Sequence, residues 1–389
     1  MIPLRYNLRS LAVRKTTTFA TAFGIALVVF VLASALMLSA GVRKTMRTSG
    51  HPDVAIVMRK GSDNELSSTV ESASINVIAA APGAKASTPD LPSSSPELVI
   101  VAAIEKLGAS GVTNVQLRGV PEHGMRFRPE MRIIAGRAPA PGQDEVMIGA
   151  RLRGRFRGLD LGQSFEIRKN RQARVVGVFE AGGTSHDSEV WMDLDLLRTS
   201  FSRQGYVSSV RVRLSSPAAF DAFRAAIEGE KRFGFMALRE AEFYEKQSEG
   251  TSIFISAIGS IVSVFFAIGA MIGAMITMYG AVANRQREIG TLRAIGFSRR
   301  AILLSFLLES TSLALIGGAV GVAGAMAMGF VKISMMNFQS WSEMVFTFDP
   351  TPQVILTAFT FAASMGLLGG FLPAIRAART SPVEAMRGG

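Results

Sequence analysis

The chain contains no cysteine, so neither disulfides nor thiol chemistry contributes to it, and cysteine usage says nothing of its compartment. Histidine is nearly as scarce: His51, His123 and His186 are the only three, and none sits in a His-Glu-x-x-His frame, which argues against a zinc protease. Nowhere does a glycine precede a lysine, so these residues hold no phosphate-cradling loop of the Walker A type. There is no Gly-x-Ser-x-Gly elbow for a hydrolase nucleophile either. Asp187 and Glu189 beside His186 are too few and too poorly spaced for a metal site and read as a polar loop before a strand. We therefore assign no catalytic residue, no metal ligand and no cofactor to this chain.

Acids are missing from three particular places. Segments 1–18, 284–300 and 373–389 together hold 12 Lys and Arg against two acids, Glu288 and Glu384. Most of the net charge of +12 is thus concentrated in short stretches beside apolar runs. That is the pattern of cytoplasmic membrane loops rather than of a nucleic-acid surface.

What is abundant is apolar sequence: 48% of the 389 residues are hydrophobic and 38 are glycine. Four runs, at 19–41, 251–283, 301–332 and 351–375, match or exceed the roughly 20 residues needed to cross a bilayer core. Backbone in lipid must satisfy its own hydrogen bonds, so each is read as a transmembrane helix. The first run is too long for a cleaved signal, and 1–18 reads as an amphipathic segment on the inner surface. Both ends then lie inside, with an acidic external loop at 333–350 and a cytoplasmic tail at 376–389. The fold class is a four-helix membrane protein with an α+β extracytoplasmic domain, 42–250, inserted between helices 1 and 2.

Between the second and third runs lies 284–300, with Arg285, Arg287, Arg293, Arg299 and Arg300 against Glu288 alone. Ile289, Leu292 and Ile295 recur at helical spacing, so the loop reads as a short amphipathic helix ending near Gly296. The residues alone also allow a solvated loop that only enforces topology. Asn-Arg-Gln-Arg-Glu-Ile-Gly-Thr-Leu-Arg-Ala-Ile-Gly at 284–296 resembles the cytoplasmic loop of MacB/FtsX-like ABC transporter permeases. Arg299, Arg300, Glu309, Gly317, Gly318 and Gly321 continue the likeness, as does Pro373-Ala-Ile-Arg-Ala-Ala-Arg-Thr-Ser-Pro-Val-Glu-Ala-Met-Arg387.

The resemblance implies that Arg285, Arg287, Glu288, Ile289, Leu292, Arg293 and Ile295 form a coupling helix docking on a separate ABC ATPase. ATP and Mg would be bound there and not by this chain. It also implies a homodimer in the bacterial inner membrane, surrounded by lipid. A periplasmic adaptor protein and an outer-membrane channel are further partners to test.

Within 42–250, strands are expected at 54–58, 98–103, 112–120, 164–168, 173–179, 189–192 and 207–214. Helices are expected at 150–158, 194–202 and 218–228, and a loop at 79–96. From 237 a polar helix should run unbroken into the second span as a stalk. The sequences 117–121, 134–137, 142–146, 161–163 and 175–179, with Trp191, resemble the periplasmic core domain of the same permeases. Two basic clusters, Arg151/Arg153/Arg155/Arg157 and Arg168/Lys169/Arg171/Arg174, suit acidic lipid or an acidic partner, but equally a solvated face balanced by local acids.

Glycines recur four residues apart as Gly269/Gly273, Gly317/Gly321 and Gly366/Gly370, spacing that lets membrane helices approach closely. Glu309, about two turns into the third span, is expensive there: it is either a proton relay or one half of a pair with a basic or polar group. The favoured function is a permease subunit that couples ATP hydrolysis elsewhere to export or extraction of a substrate at the outer side of the membrane by mechanotransmission. The alternative is an FtsX-like mechanical regulator of an extracytoplasmic partner such as a cell-wall hydrolase.

Overall fold

The computed structural model describes residues 15–88, 92–108, 111–230 and 232–380; the amphipathic segment expected before residue 15 and the tail after 380 lie outside them. The chain divides into two units, one of residues 1–41, 253–331 and 347–389, the other of 42–252 and 332–346.

In chain order the elements begin with α1 (Lys15–Arg47), β1 (Val54–Arg59), β2 (Val70–Glu71) and α2 (Ile75–Ala79). There follow β3 (Ser94–Glu105), β4 (Val112–Val120), β5 (Arg132–Gly136), β6 (Glu145–Gly149), β7 (Ser164–Arg168), β8 (Arg171–Glu180) and β9 (Glu189–Asp193). Next come α3 (Leu194–Ser200), β10 (Tyr206–Val207), β11 (Ser209–Arg213), α4 (Phe220–Gly229) and β12 (Phe235–Arg239). The remainder is α5 (Glu240–Asn284), α6 (Gln286–Ala294), α7 (Arg299–Ala327), the hairpin β13 (Lys332–Asn337) and β14 (Ser342–Thr347), and α8 (Pro352–Arg379).

Four of these helices are long and apolar enough to cross a membrane by length and composition: Thr18–Arg47, Glu240–Asn284, Arg299–Phe330 and Pro352–Arg379. Local chemistry sets their ends. Ser298 caps α7, its hydroxyl accepting from the Ala301 amide at 3.2 Å. Thr351 caps α8 in the same way, with Pro352 in the first turn.

Backbone contact requires glycine at two seams of this unit. A side chain built on Gly317 would lie 2.5 Å from the Ala22 carbonyl oxygen, and on Gly321 2.4 Å from that of Ala26, so α7 meets α1 there. On α8, a side chain on Gly366 would lie 2.7 Å from Ala314 Cβ and 2.8 Å from Thr311 Cα, and one on Gly370 would meet the Ser310 side chain, all of α7. Gly269 and Gly273 have nothing within 4 Å, so among the described residues this pair packs against no other helix. Gly259, against Ala35, is the close approach of α5 that the four-residue pattern missed.

The other unit is built on a mixed sheet ordered β12-β1-β11-β3-β4-β9-β6-β8-β5, with β7 also on β8. β3 and β4 pair antiparallel from Leu98↔Gly119 to Glu105↔Val112, whereas β4–β9 and β6–β8 are parallel. Val57, Val210, Val212, Leu117, Val190 and Phe223 form part of its buried core.

Four expectations fail here for local reasons. Residues 150–158 are turns rather than a helix, because Gly154 and Gly158 take φ of +69° and +78°. The expected polar helix from 237 is strand β12 up to Arg239, held by Ala55↔Arg239 through Arg59↔Phe235, and helix begins only at Glu240. The loop at 79–96 ends early, since Ser94 and Ser95 already pair with β11. The loop at 333–350 contains a hairpin turned at Trp341, which has φ +51°.

Candidate functional site

The basic loop folds as a helix with two unlike faces. Arg285, just ahead of α6, is buried and turns inward: its Nη1 donates to Glu309 Oε2 at 3.0 Å and its Nε to Glu288 Oε2 at 3.2 Å. The guanidinium also lies over the Phe306 ring. Glu309 is equally buried and forms an ion pair with Arg285. Ile289 packs into a cluster of Met278, Val282, Ile302, Phe306, Ala374 and Ala377, and Leu292 and Phe297 lie against it half-buried.

The structure divides the candidate coupling residues between two faces. Arg285 and Ile289 hold α6 to its own unit, and Leu292 is half spent on the same task. Arg287, Glu288, Thr291 and Ile295 face outward in a stripe, Ile295 being 72% exposed. Arg293 is half-buried, and its Nε has no hydrogen-bond partner. Gly296, at φ +107°, ends the helix and returns the chain toward α7.

A second arrangement, in the sheet unit, was not anticipated. Arg118, Arg128 and Arg211 are buried together with Glu65, Glu97, Glu189 and Glu240. Arg118 forks onto Glu189 (Nε–Oε2 2.7 Å, Nη2–Oε1 2.9 Å), and its Nη1 reaches Glu97 at 2.8 Å and Glu65 at 3.1 Å. Arg211 donates to Glu240 at 2.7 Å, to Glu65 at 2.9 Å, to Glu97 at 2.8 Å and to the Tyr244 hydroxyl at 3.2 Å. Arg128 holds the other Glu97 oxygen at 2.8 Å and covers Trp191, whose Nε1 donates to Glu189.

Burial alone would push these carboxyls up. The guanidiniums of Arg128, Arg211 and Arg118 outweigh it and hold Glu97 at about 2. Arg118 and Arg211 hold Glu65 well below the usual carboxylate range, and Arg118 does the same for Glu189. The cluster fixes the start of α5, through Glu240 and Tyr244, to the sheet. Glu240 also accepts the His51 amide at 3.1 Å, just beyond α1.

The basic clusters are largely consumed at home. Arg155 and Lys106 pair with Glu343 of the hairpin, Arg151 donates to the Val345 carbonyl, and the Val345 amide donates to Ser188. Arg168 donates to the Ser200 carbonyl and Arg171 pairs with Asp144. This favours the balanced-face reading over a lipid or partner patch. Among the described residues no group of three or more His, Cys, Asp or Glu is placed to hold a metal.

Residues 18–230 match the family model of the MacB-like periplasmic core domain, and 260–382 that of the FtsX-like permease C-terminal region. A macrolide export ATP-binding/permease protein MacB of Bartonella henselae is 28% identical over 228 residues, 56% of this chain and 33% of that protein. A MacB 2 of Aeromonas hydrophila is 30% identical over 231 residues, 55% and 33% of the two chains. The periplasmic region of MacB from Actinobacillus actinomycetemcomitans aligns with 49% of this chain and 90% of its own at 12% identity, TM-score 0.37. The chain thus spans about one third of the length of the curated relatives it matches.

Proposed function

The chain belongs to the family of MacB/FtsX-like ABC transporter permeases, and we propose that it is the membrane subunit of such a transporter, driven by an ATPase on another polypeptide. The relatives named above are ATP-binding/permease proteins, whereas these residues contain no Gly-Lys phosphate loop, so the nucleotide chemistry is assigned outside them. The observation that carries this reading is the division of labour on α6. Arg285 and Ile289 anchor it while Arg287, Glu288, Thr291 and Ile295 present a mixed polar and apolar stripe. A loop that only enforced topology would need no such anchoring.

In this reading α6 lies in the cytoplasm and docks on the ATPase, and the sheet unit lies outside the inner membrane. Nucleotide-driven movement of the ATPase pushes α6 and the adjoining end of α5. That helix is 45 residues long, about 68 Å at 1.5 Å per residue, and its far end begins in the buried ion cluster. Movement is thereby delivered to the outer domain, which expels or extracts substrate, with two copies of the chain working together in lipid. An adaptor protein and an outer-membrane channel would extend the path.

The test uses the outward stripe. Arg287→Glu combined with Ile295→Asp should abolish co-purification of the cognate ATPase and its stimulated turnover, while the thermal stability of the permease stays unchanged. Retention of a fully stimulated ATPase by that variant would reduce α6 to a topology loop.

A further inference from the structure

We propose that the turn of the β13–β14 hairpin is a membrane anchor, which holds the sheet unit to the headgroup layer of the bilayer through Phe338 and Trp341. The anchor is independent of the coupling role of α6 and depends only on the four apolar helices spanning a membrane.

The turn is built to present these two rings. Asn337 is fully buried, and its Oδ1 accepts the Gln339 amide at 2.8 Å and the Ser340 amide at 3.2 Å. The Ser340 and Ser342 hydroxyls are buried and bonded to each other at 2.9 Å. Small polar groups thus point inward and large apolar ones outward: Phe338 is 54% and Trp341 57% exposed, and Met336 of β13 is exposed as well. Trp341 is held at φ +51°, a conformation that bulky side chains rarely adopt. A turn in water needs the reverse arrangement, and strain of this kind persists where it serves a site.

Where the chain leaves the sheet unit says what covers the rings. Ser340 and Met344 line one small cavity with Ser185, Tyr244 and Gln247, and the Ser185 amide donates to the Ser49 hydroxyl at 2.8 Å, just beyond α1. Gln247 lies about 8 Å along α5 from Ser252, the last residue of this unit before the exposed apolar Ile253 and Phe254. The hairpin itself begins two residues after the apolar helix Arg299–Phe330 and ends five residues before Pro352 opens the next. The turn therefore sits at the end of the unit from which the chain runs into all four apolar helices. Charge agrees with a lipid surface. The hairpin's one acid, Glu343, is buried against Lys106 and Arg155, and Lys332 is exposed, so no carboxylate on it repels phosphate headgroups. Tryptophan, with an apolar ring and one N–H, favours that layer.

The chain has two tryptophans, and Trp191 is buried in the sheet unit, so subtracting the emission of Trp341→Phe from that of the wild type isolates Trp341. The full chain is placed in phosphatidylcholine nanodiscs, with and without bromine near the headgroup end of the acyl chains. The Trp341 component should be blue-shifted and should lose most of its emission to the brominated lipid, while the Trp191 emission stays unchanged. A second variant, Trp191→Phe, leaves Trp341 as the sole reporter and should behave like the isolated component. A Trp341 emission untouched by brominated lipid overturns the anchor. Iodide in the buffer then gives the reason, quenching a ring left in water and sparing one covered by protein, such as a second copy of the chain. A chain that fails to enter nanodiscs at all would instead refute the membrane reading of the four helices.

Discussion

Removing Arg285 while keeping Glu309 should be far more damaging than removing both. The pair is buried, with side chains 8% and 6% exposed and the nitrogen and oxygen 3.0 Å apart. Arg285→Met removes the guanidinium from this buried pair, and breaking a buried pair from one side costs about 3–5 kcal/mol. At roughly 2–4 °C per kcal/mol for a unit of this size, the melting temperature should fall by about 6–20 °C. Arg285→Met with Glu309→Leu removes both charges of the pair, and replacement by apolar groups of similar volume is often neutral. Most of the loss should return. Glu309→Gln should be milder than Arg285→Met, because an amide accepts from the guanidinium. The measurement is thermal unfolding of all four proteins in one detergent, with hydrogen exchange at 286–294 to follow release of α6. A double variant as unstable as Arg285→Met would refute the pair as the anchor and reopen a separate role for Glu309.

Three further outcomes follow from geometry already described. Gly321→Leu should destabilise the helix unit by several degrees because its side chain would meet the Ala26 carbonyl, whereas Gly269→Leu should leave the unfolding of the single chain unchanged. The sheet unit should lose stability on acidification: Glu97 is held at about 2 against an ordinary 4.5, so its contribution is full above about 4.5 and fades as pH falls toward 2. Trp191 fluorescence of the intact protein should report this; a flat signal down to pH 2 would show that the cluster contributes nothing. Because the chain has no cysteine, single substitutions at exposed Ser216 and Ser298 give clean labels. Impermeant maleimide should reach the first in intact cells and the second only after permeabilisation, and labelling of Ser298 from outside would invert the topology.

The long apolar runs and the basic loop were legible because both follow from the bilayer: length from its thickness, charge from its sidedness. Strands such as 112–120 and 164–168 showed in alternation and β-branched content. The buried ion cluster did not. Val210-Arg211-Val212 alternates like a half-solvated strand, and the rule that puts Val210 and Val212 in the core sends Arg211 to water. Both faces of β11 are in fact covered, and Arg211 meets Glu240 from 29 residues further on. Its other carboxylates lie still further off, Glu65 and Glu97 at 146 and 114 residues, contacts no local pattern encodes. On α6, periodicity found the apolar positions but could not say which face is covered. Ile289 and Ile295 look alike in sequence and differ only because Met278 and Phe306 cover the first.

The ion cluster also decides where the sheet unit can be cut free as a soluble fragment. Ending it at Arg239, where the strand stops, discards Glu240 and Tyr244 and leaves Arg211 short of two partners in the interior. Such a fragment should aggregate or demand acidic replacement. Carrying the chain on to Ser252, starting at Val42 and supplying 332–346 through a linker keeps every guanidinium matched and the hairpin clasped by Arg155 and Lys106. The usable boundary lies about three turns inside a helix.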